Sequence, residues 1–182
     1  MPTEQEIIKH TKRWIKDVVI GCNFCPFANK VVKQNAVHYQ VTFFDDENSC
    51  LEILLVALKH LDVTPSIDTS LIIIPNGFSS FLHYLDLTHL AEKLLKKNRY
   101  EGIYQIASFH PLYLFDGSQD SDPANYTNRS PYPMLHILRE ESIDKALEHY
   151  SNPEAIPNTN IAFAKEKGLL YFQMLRDSCM DG

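Results

Sequence analysis

The chain has 182 residues, 45% of them hydrophobic and 22% charged, and a net charge of −6; this composition fits one globular domain with a well-filled core. The acidic balance argues against a binder of nucleic-acid backbones, which would present a basic face, and no apolar run approaches the roughly 20 residues of a membrane helix. Four cysteines, Cys22, Cys25, Cys50 and Cys179, are too few for a disulfide scaffold at this length, and with an amphipathic, charged N-terminus in place of a secretory signal they point to a reduced cytoplasmic setting.

Thr3 and Glu6 form a capping-box pattern, in which hydroxyl and carboxylate each satisfy an orphan backbone N–H. Ile7, Ile8, Thr11, Trp14, Ile15, Val18 and Val19 follow at helical spacing, so one amphipathic helix is expected over residues 4–20, with Gly21 as a left-handed stop. Pro26 suits a first helical position, which predicts a short helix to about Val32 with Cys25 as its cap. Val37 to Phe43 alternates apolar and polar residues, the mark of a half-buried strand. Asp45, Asp46 and Glu47 lead into a helix at about 47–61 with an apolar face of Leu51, Leu54, Leu55 and Leu58. Leu71-Ile72-Ile73-Ile74 is apolar without alternation, which places it centrally in a sheet covered on both faces. A helix at about 80–97 carries Phe81, Leu82, Leu85, Leu90, Leu94 and Leu95, and a third strand runs from Ile103 to Ser108.

The stretch from Ser108 to Glu140 then crosses a polar loop of some twenty residues, rich in aromatic side chains. A loop of this length is functional or disordered, and its aromatic content argues for order. Beyond it, Ser130-Pro131 starts an expected helix containing Met134, Leu135, Ile137 and Leu138, and Ser142 caps another to about His149. Asn158 caps a last helix at about 159–176, weakened by Gly168. Strands alternating with helices predict an α/β domain with a small central sheet of three to five strands, parallel pairing being favoured. An α+β arrangement with an extra strand near Leu112 to Phe115 is the alternative. In a sheet with strands two and three parallel, Pro75-Asn76-Gly77 and His110-Pro111 share the carboxyl edge, where ligands gather in open sheets.

The polar loop supplies the candidate chemistry. Arg129, ahead of Pro131, offers a planar cationic fork for a carboxylate or phosphate, with Asn125, Asn128, Tyr132, His136 and Arg139 as further ligand-binding candidates. Pro131 and Pro133 remove two N–H donors, so an anion would rest on side chains. The bland reading pairs Arg129 with Asp122 or Glu140 to pin the loop. His110 is the candidate general acid or base, with Asp122 or Glu140 orienting its ring; its bland counterpart is a histidine bonded to a backbone carbonyl at a strand end. His136, on the expected helix, would share a face with Arg139 and Glu140.

Cys25 is the reserve nucleophile, since a helix N-terminus favours a thiolate, against a simple packing role beside Phe24 and Phe27. Cys22-x-x-Cys25 has the reactive thiol in the wrong place for a redox pair and lacks partners at zinc-site spacing. The Asp116–Asp122 run alternates oxygen ligands but has Ser121 where a calcium hand needs glycine and Thr127 where it needs glutamate, which rejects a calcium hand and leaves open a weaker magnesium or calcium site on two of these carboxylates, with no metal ligand assigned. With six glycines, nucleotide-binding fingerprints have nowhere to sit, and no cofactor is indicated.

Asn23-x-Cys25-Pro26-Phe27-Ala28, Phe109-His110-Pro111, Asp122, the run Asn125 to Pro133 and Leu138-Arg139-Glu140 together resemble DUF1415, a bacterial family of unknown function, over nearly the whole chain. Cys22 departs from the family's common pattern, which weakens the redox-pair and zinc readings further. The resemblance implies a single cytoplasmic domain whose signature includes Cys25, His110, Asp122, Asn128, Arg129 and Glu140, and it implies no reaction. Three readings follow: a hydrolase or transferase acting on a small phosphorylated or carboxylated metabolite, a non-catalytic sensor of the same anion, or a polar network that only clamps a loop. No nucleic-acid or membrane partner is expected.

Overall fold

A computed structural model describes residues 2–148 and 150–181. The elements follow the order α1 (Glu4–Trp14), α2 (Ala28–Lys33), β1 (Val37–Val41), α3 (Glu47–Val63), β2 (Thr69–Ile73), α4 (Phe81–Lys97), β3 (Tyr104–Phe109), β4 (Met134–Arg139), α5 (Glu140–Leu147), α6 (Ile156–Lys167) and α7 (Leu169–Ser178). The four strands form one mixed sheet in the order β1-β2-β4-β3. β1 pairs parallel with β2, and β4 pairs antiparallel with both β2 and β3. β1, β2 and β3 therefore point one way with β4 reversed among them, and the exits of β2 and β3 do share the carboxyl edge.

Each face of the sheet has its own core. Ile72, Ile74, Leu135 and Ile137 pack against Leu54, Leu58 and Leu61 of α3 and Tyr84, Leu87 and Leu95 of α4. Leu71, Ile73 and Met134 pack on the other side against Ile7 and Trp14 of α1, Ala164 of α6 and Phe172 of α7. β2 is buried at every position, as its unbroken apolar run requires. On α4, however, Leu82 is 74% exposed and Tyr84, Leu87, Ala91 and Leu95 face inward. The expected leucine stripe is off by part of a turn, because a polar-headed tyrosine and an alanine count as core once their surroundings are known.

The largest departure is the segment after the loop. Met134–Arg139 is a strand, where a helix was expected. The prolines at 131 and 133 hold the chain extended as it enters β4, and the Pro133 carbonyl accepts from Ile74 N–H at 2.9 Å. Residues Leu112 to Phe115 form no strand, so the extra strand expected in the loop is absent there; the fourth strand is Met134–Arg139. Arg139, not Ser142, stands at the cap of α5, and the Ser142 hydroxyl donates to Asp68 Oδ1 at 2.9 Å. The expected end of that helix at His149 lies outside the described residues. The last expected helix is two, α6 and α7, divided at Gly168 with φ +82°.

At the N-terminus the Thr3–Glu6 capping box is present, but the helix loosens to a π-helical turn over Ile15–Ile20. Gly21 is not left-handed: its φ is −60°. Glycine is needed there because a Cβ would stand 2.3 Å from the Asp17 carbonyl oxygen. The left-handed residue is Asn23, with φ 56°. α2 begins at Ala28 with Phe27 at its cap position, so Cys25 does not cap it.

Candidate functional site

The polar loop is ordered by its own side chains. Asn125 is fully buried; its Oδ1 accepts from Phe115 N–H at 3.0 Å and from the Ser118 hydroxyl at 2.9 Å, while Nδ2 donates to the Gln119 carbonyl at 2.9 Å. Asp122 caps the single 3-10 turn Pro123–Thr127 by accepting from Ala124 N–H at 2.9 Å. Asn128 Nδ2 donates to the Ser108 carbonyl at 3.1 Å, and His110 N–H donates to the Asn128 carbonyl at 3.2 Å, tying the loop to the exit of β3.

Arg129 is the centre of this clamp. It is 4% exposed, donates from Nε to the Tyr113 carbonyl at 3.0 Å, and meets Asp120 through Nη2, at 3.2 Å to the carbonyl and 2.6 Å to Oδ1. Its guanidinium lies over the Tyr126 ring at 5.0 Å, and its carbonyl accepts from the Trp14 indole at 3.1 Å. The carboxylate partner is thus Asp120, not the expected Asp122 or Glu140. Asp122 instead stands 4.0 Å from Lys165 Nζ.

His110 is enclosed as well, 1% exposed among the rings of Phe81 and Tyr84 at 5.3 and 4.9 Å. Its Nε2 donates to the Phe78 carbonyl at 2.7 Å, and Nδ1 accepts from Leu112 N–H at 3.0 Å, so the tautomer is fixed and both nitrogens are taken. The expected orientation by Asp122 or Glu140 is replaced by two backbone groups. Burial holds its pKa below the ordinary histidine value. The carbonyl it secures belongs to Phe78, a bulky residue at φ 57°, a conformation that persists only where neighbours enforce it.

The other candidates lie elsewhere. Burial pushes the Cys25 thiol up against the opposing pull of the Phe27 and Ala28 amides, the reverse of an activated nucleophile. Arg139 caps the end of α3: it donates to the carbonyls of Ile67 at 2.9 Å and Thr64 at 3.3 Å and to that of Leu61, and to the Tyr104 hydroxyl at 3.0 Å. His136 sits on β4, so Arg139 projects from the opposite side of the strand and Glu140 begins α5. Its Nε2 is 2.5 Å from Thr69 Oγ1; that hydroxyl donates onward to the Ile137 carbonyl at 2.6 Å, so the imidazole is the donor to it. Desolvation pushes the His136 pKa down to about 4. Tyr132 hydrogen-bonds His10 Nδ1 at 2.7 Å and stacks on its ring.

Neither of two hollows on the described surface is lined by His110, Asn128 or Arg129. One follows the outer side of α1, lined by Gln5, Ile8, Lys9, Lys12, Arg13 and Lys16. It belongs to a single helix and has no opposing wall. The other, about 510 Å³, lies between α4 and the edge strand β3. His89, Glu92, Lys93 and Lys96 of α4 form one wall, at spacings of three and four that share a helix face. Glu101, Gln105 and Ile106 form the other, Glu140 closes the end where α5 starts, and Leu95 and Tyr104 contribute to its base. Lys96 makes a loose ion pair with Glu101 at 3.9 Å; among the described residues, His89, Glu92, Lys93 and Glu140 have no side-chain partner. Glu140 is the one expected site residue found here. The four-residue α4 pattern was readable in the sequence; the edge position of β3, which opens the hollow, was not.

The profile of the family described as "Protein of unknown function (DUF1415)" matches residues 6–174, and the chain belongs to that family. No curated protein and no solved structure matches the chain.

Proposed function

We propose that this DUF1415 member binds a small anionic metabolite in the hollow between α4 and β3. Lys93 and Lys96 take the phosphoryl or carboxyl group there, and His89 and Glu140 meet the rest of the ligand. The observation that carries the reading is a two-walled hollow in which His89, Glu92, Lys93 and Glu140 have no side-chain partner among the described residues, beside the loosely paired Lys96 and Glu101. Charged groups that the fold does not use stay available to a ligand, and a few polar groups around an apolar base is the usual make-up of a small-molecule site.

Binding without turnover is favoured over catalysis because the groups expected to react are engaged: His110 through both nitrogens, and Cys25 held as a thiol by burial. Hydrolase or transferase chemistry would have to run through the acid–base groups of the hollow, His89 with Glu92, Glu101 or Glu140. The four free cysteines accord with a reduced cytoplasmic setting for the same reading.

The test is a thermal-shift panel of phosphorylated and carboxylated metabolites on the wild type, Lys93→Gln and Glu140→Gln. A ligand at 100 times its Kd adds about 2.7 kcal/mol, a rise of roughly 5–10 °C for a chain of this size. The shift should shrink in Lys93→Gln. A panel that moves no Tm, or one that moves all three proteins equally, removes the hollow from the function. Consumption of the stabilising compound would convert the reading to an enzyme.

A further inference from the structure

We propose that His38 of β1 and His60 of α3 form a two-imidazole site for a borderline divalent cation of the zinc, nickel or copper(II) class. The two rings face each other at 4.6 Å between centroids, inclined by 44°. Two elements hold them there: the β1–β2 register sets His38 opposite Ser70, and α3 packs its buried side on that same face of the sheet.

The hydrogen bonding leaves the right atoms for coordination. His38 Nδ1 lies 2.9 Å from the hydroxyl of fully buried Ser70. That contact fixes the ring's orientation and leaves Nε2 without a hydrogen bond among the described residues, and a second partner on the other ring nitrogen is what orients metal-binding histidines. His60 has no hydrogen-bond partner, so both of its nitrogens remain to be used. Two metal–nitrogen bonds of about 2.0 Å at a tetrahedral angle place the ligating atoms roughly 3.3 Å apart, a separation that rings this close can meet by rotation of the His60 side chain alone.

Imidazole suits these metals and disfavours magnesium and calcium, which prefer oxygen. Among the described residues no group of three or more His, Cys, Asp or Glu could hold a metal, so protein supplies two ligands here and water or a small anion completes the shell.

The test uses the full-length chain, wild type and the variants His60→Gln, His38→Gln and His83→Gln, titrated calorimetrically with zinc chloride and nickel chloride near neutral pH. His83, paired with Glu47 at 2.6 Å on the far side of α3's start, is the control for incidental imidazole binding. One saturating equivalent is expected in the wild type and in His83→Gln, lost in both His38→Gln and His60→Gln, with magnesium giving no heat. A second reading uses the copper(II) form, whose electron paramagnetic resonance spectrum should show coupling to two nitrogens in the wild type and lose that two-nitrogen coupling in His60→Gln. Binding that is absent from the wild type, or that persists in both His38→Gln and His60→Gln, overturns the proposal.

Discussion

The loop at 110–133 and the hollow between α4 and β3 hold similar kinds of residue and differ in how those residues are used. In the loop, Arg129 meets two carbonyls, a carboxylate and a tyrosine ring, and Asn125 is saturated from three directions. In the hollow, Lys93, His89 and Glu140 face solvent with no side-chain partner. The difference teaches that a dense run of polar residues can be the scaffold's own cost of ordering a loop without secondary structure. A buried backbone needs partners, and this loop obtains them from side chains. Charges left unpaired beside a concave surface are the better pointer to a ligand.

The comparison would break most visibly under acid. The resolved histidine shifts, at His10, His38, His110 and His136, are all downward with burial as the leading cause. The unfolded chain therefore takes up protons first. Stability from these groups is complete above about pH 6.5 and is lost as pH falls toward their folded values. His136 alone, moving from 6.5 to about 4, accounts for a loss of about 3 kcal/mol across that window. Urea midpoints at pH 7 and pH 4.5 measure it; a flat profile would show that these imidazoles are not desolvated, and His136→Gln should flatten part of the slope.

Arg129→Ala comes next. Removing the guanidinium strands the Tyr113 and Asp120 carbonyls in a closed loop, at a cost of about 3 kcal/mol and a fall in Tm of roughly 6–12 °C. Asn125→Ala, with two donors (Phe115 N–H and the Ser118 hydroxyl) and one acceptor (the Gln119 carbonyl) unmet, should cost about 2 kcal/mol. A variant that kept its Tm and instead lost affinity for an anion would move Arg129 from the clamp to a site.

Much of the frame was legible because local and tertiary preferences agree. The capping box of α1 needs three residues of context, and β2 announces its burial by Leu71-Ile72-Ile73-Ile74. β4 was not legible. Met134-Leu135-His136-Ile137-Leu138-Arg139 is too short an apolar run to distinguish helix from strand by period, and the preceding prolines suit either. Its conformation is decided by Ile72 and Ile106, which flank Leu135 and Ile137 in the sheet and lie more than thirty residues away in sequence or across the whole loop. The same limit governs the site. His110 was correctly placed at a strand exit on the carboxyl edge, yet its sealing depends on Phe78, Phe81 and Tyr84, which no pattern around His110 reveals. Arg139 looked like a ligand-binding cation until α3 was found to end beside it.

The smallest expected effect on stability is the most informative about function. Lys93→Gln removes a side chain that no other side chain engages, so its Tm should stay within about 2 °C of the wild type, against the large fall for Arg129→Ala. If the hollow is the site, that same quiet substitution reduces the ligand-induced shift, while Arg129→Ala, where it stays folded, retains it. The two variants thus dissociate: one loses stability and keeps the ligand, the other keeps stability and loses it. Measuring both quantities on both proteins assigns each region its role, because a clamp that also bound the anion would lose both in Arg129→Ala and leave Lys93→Gln unaffected in either.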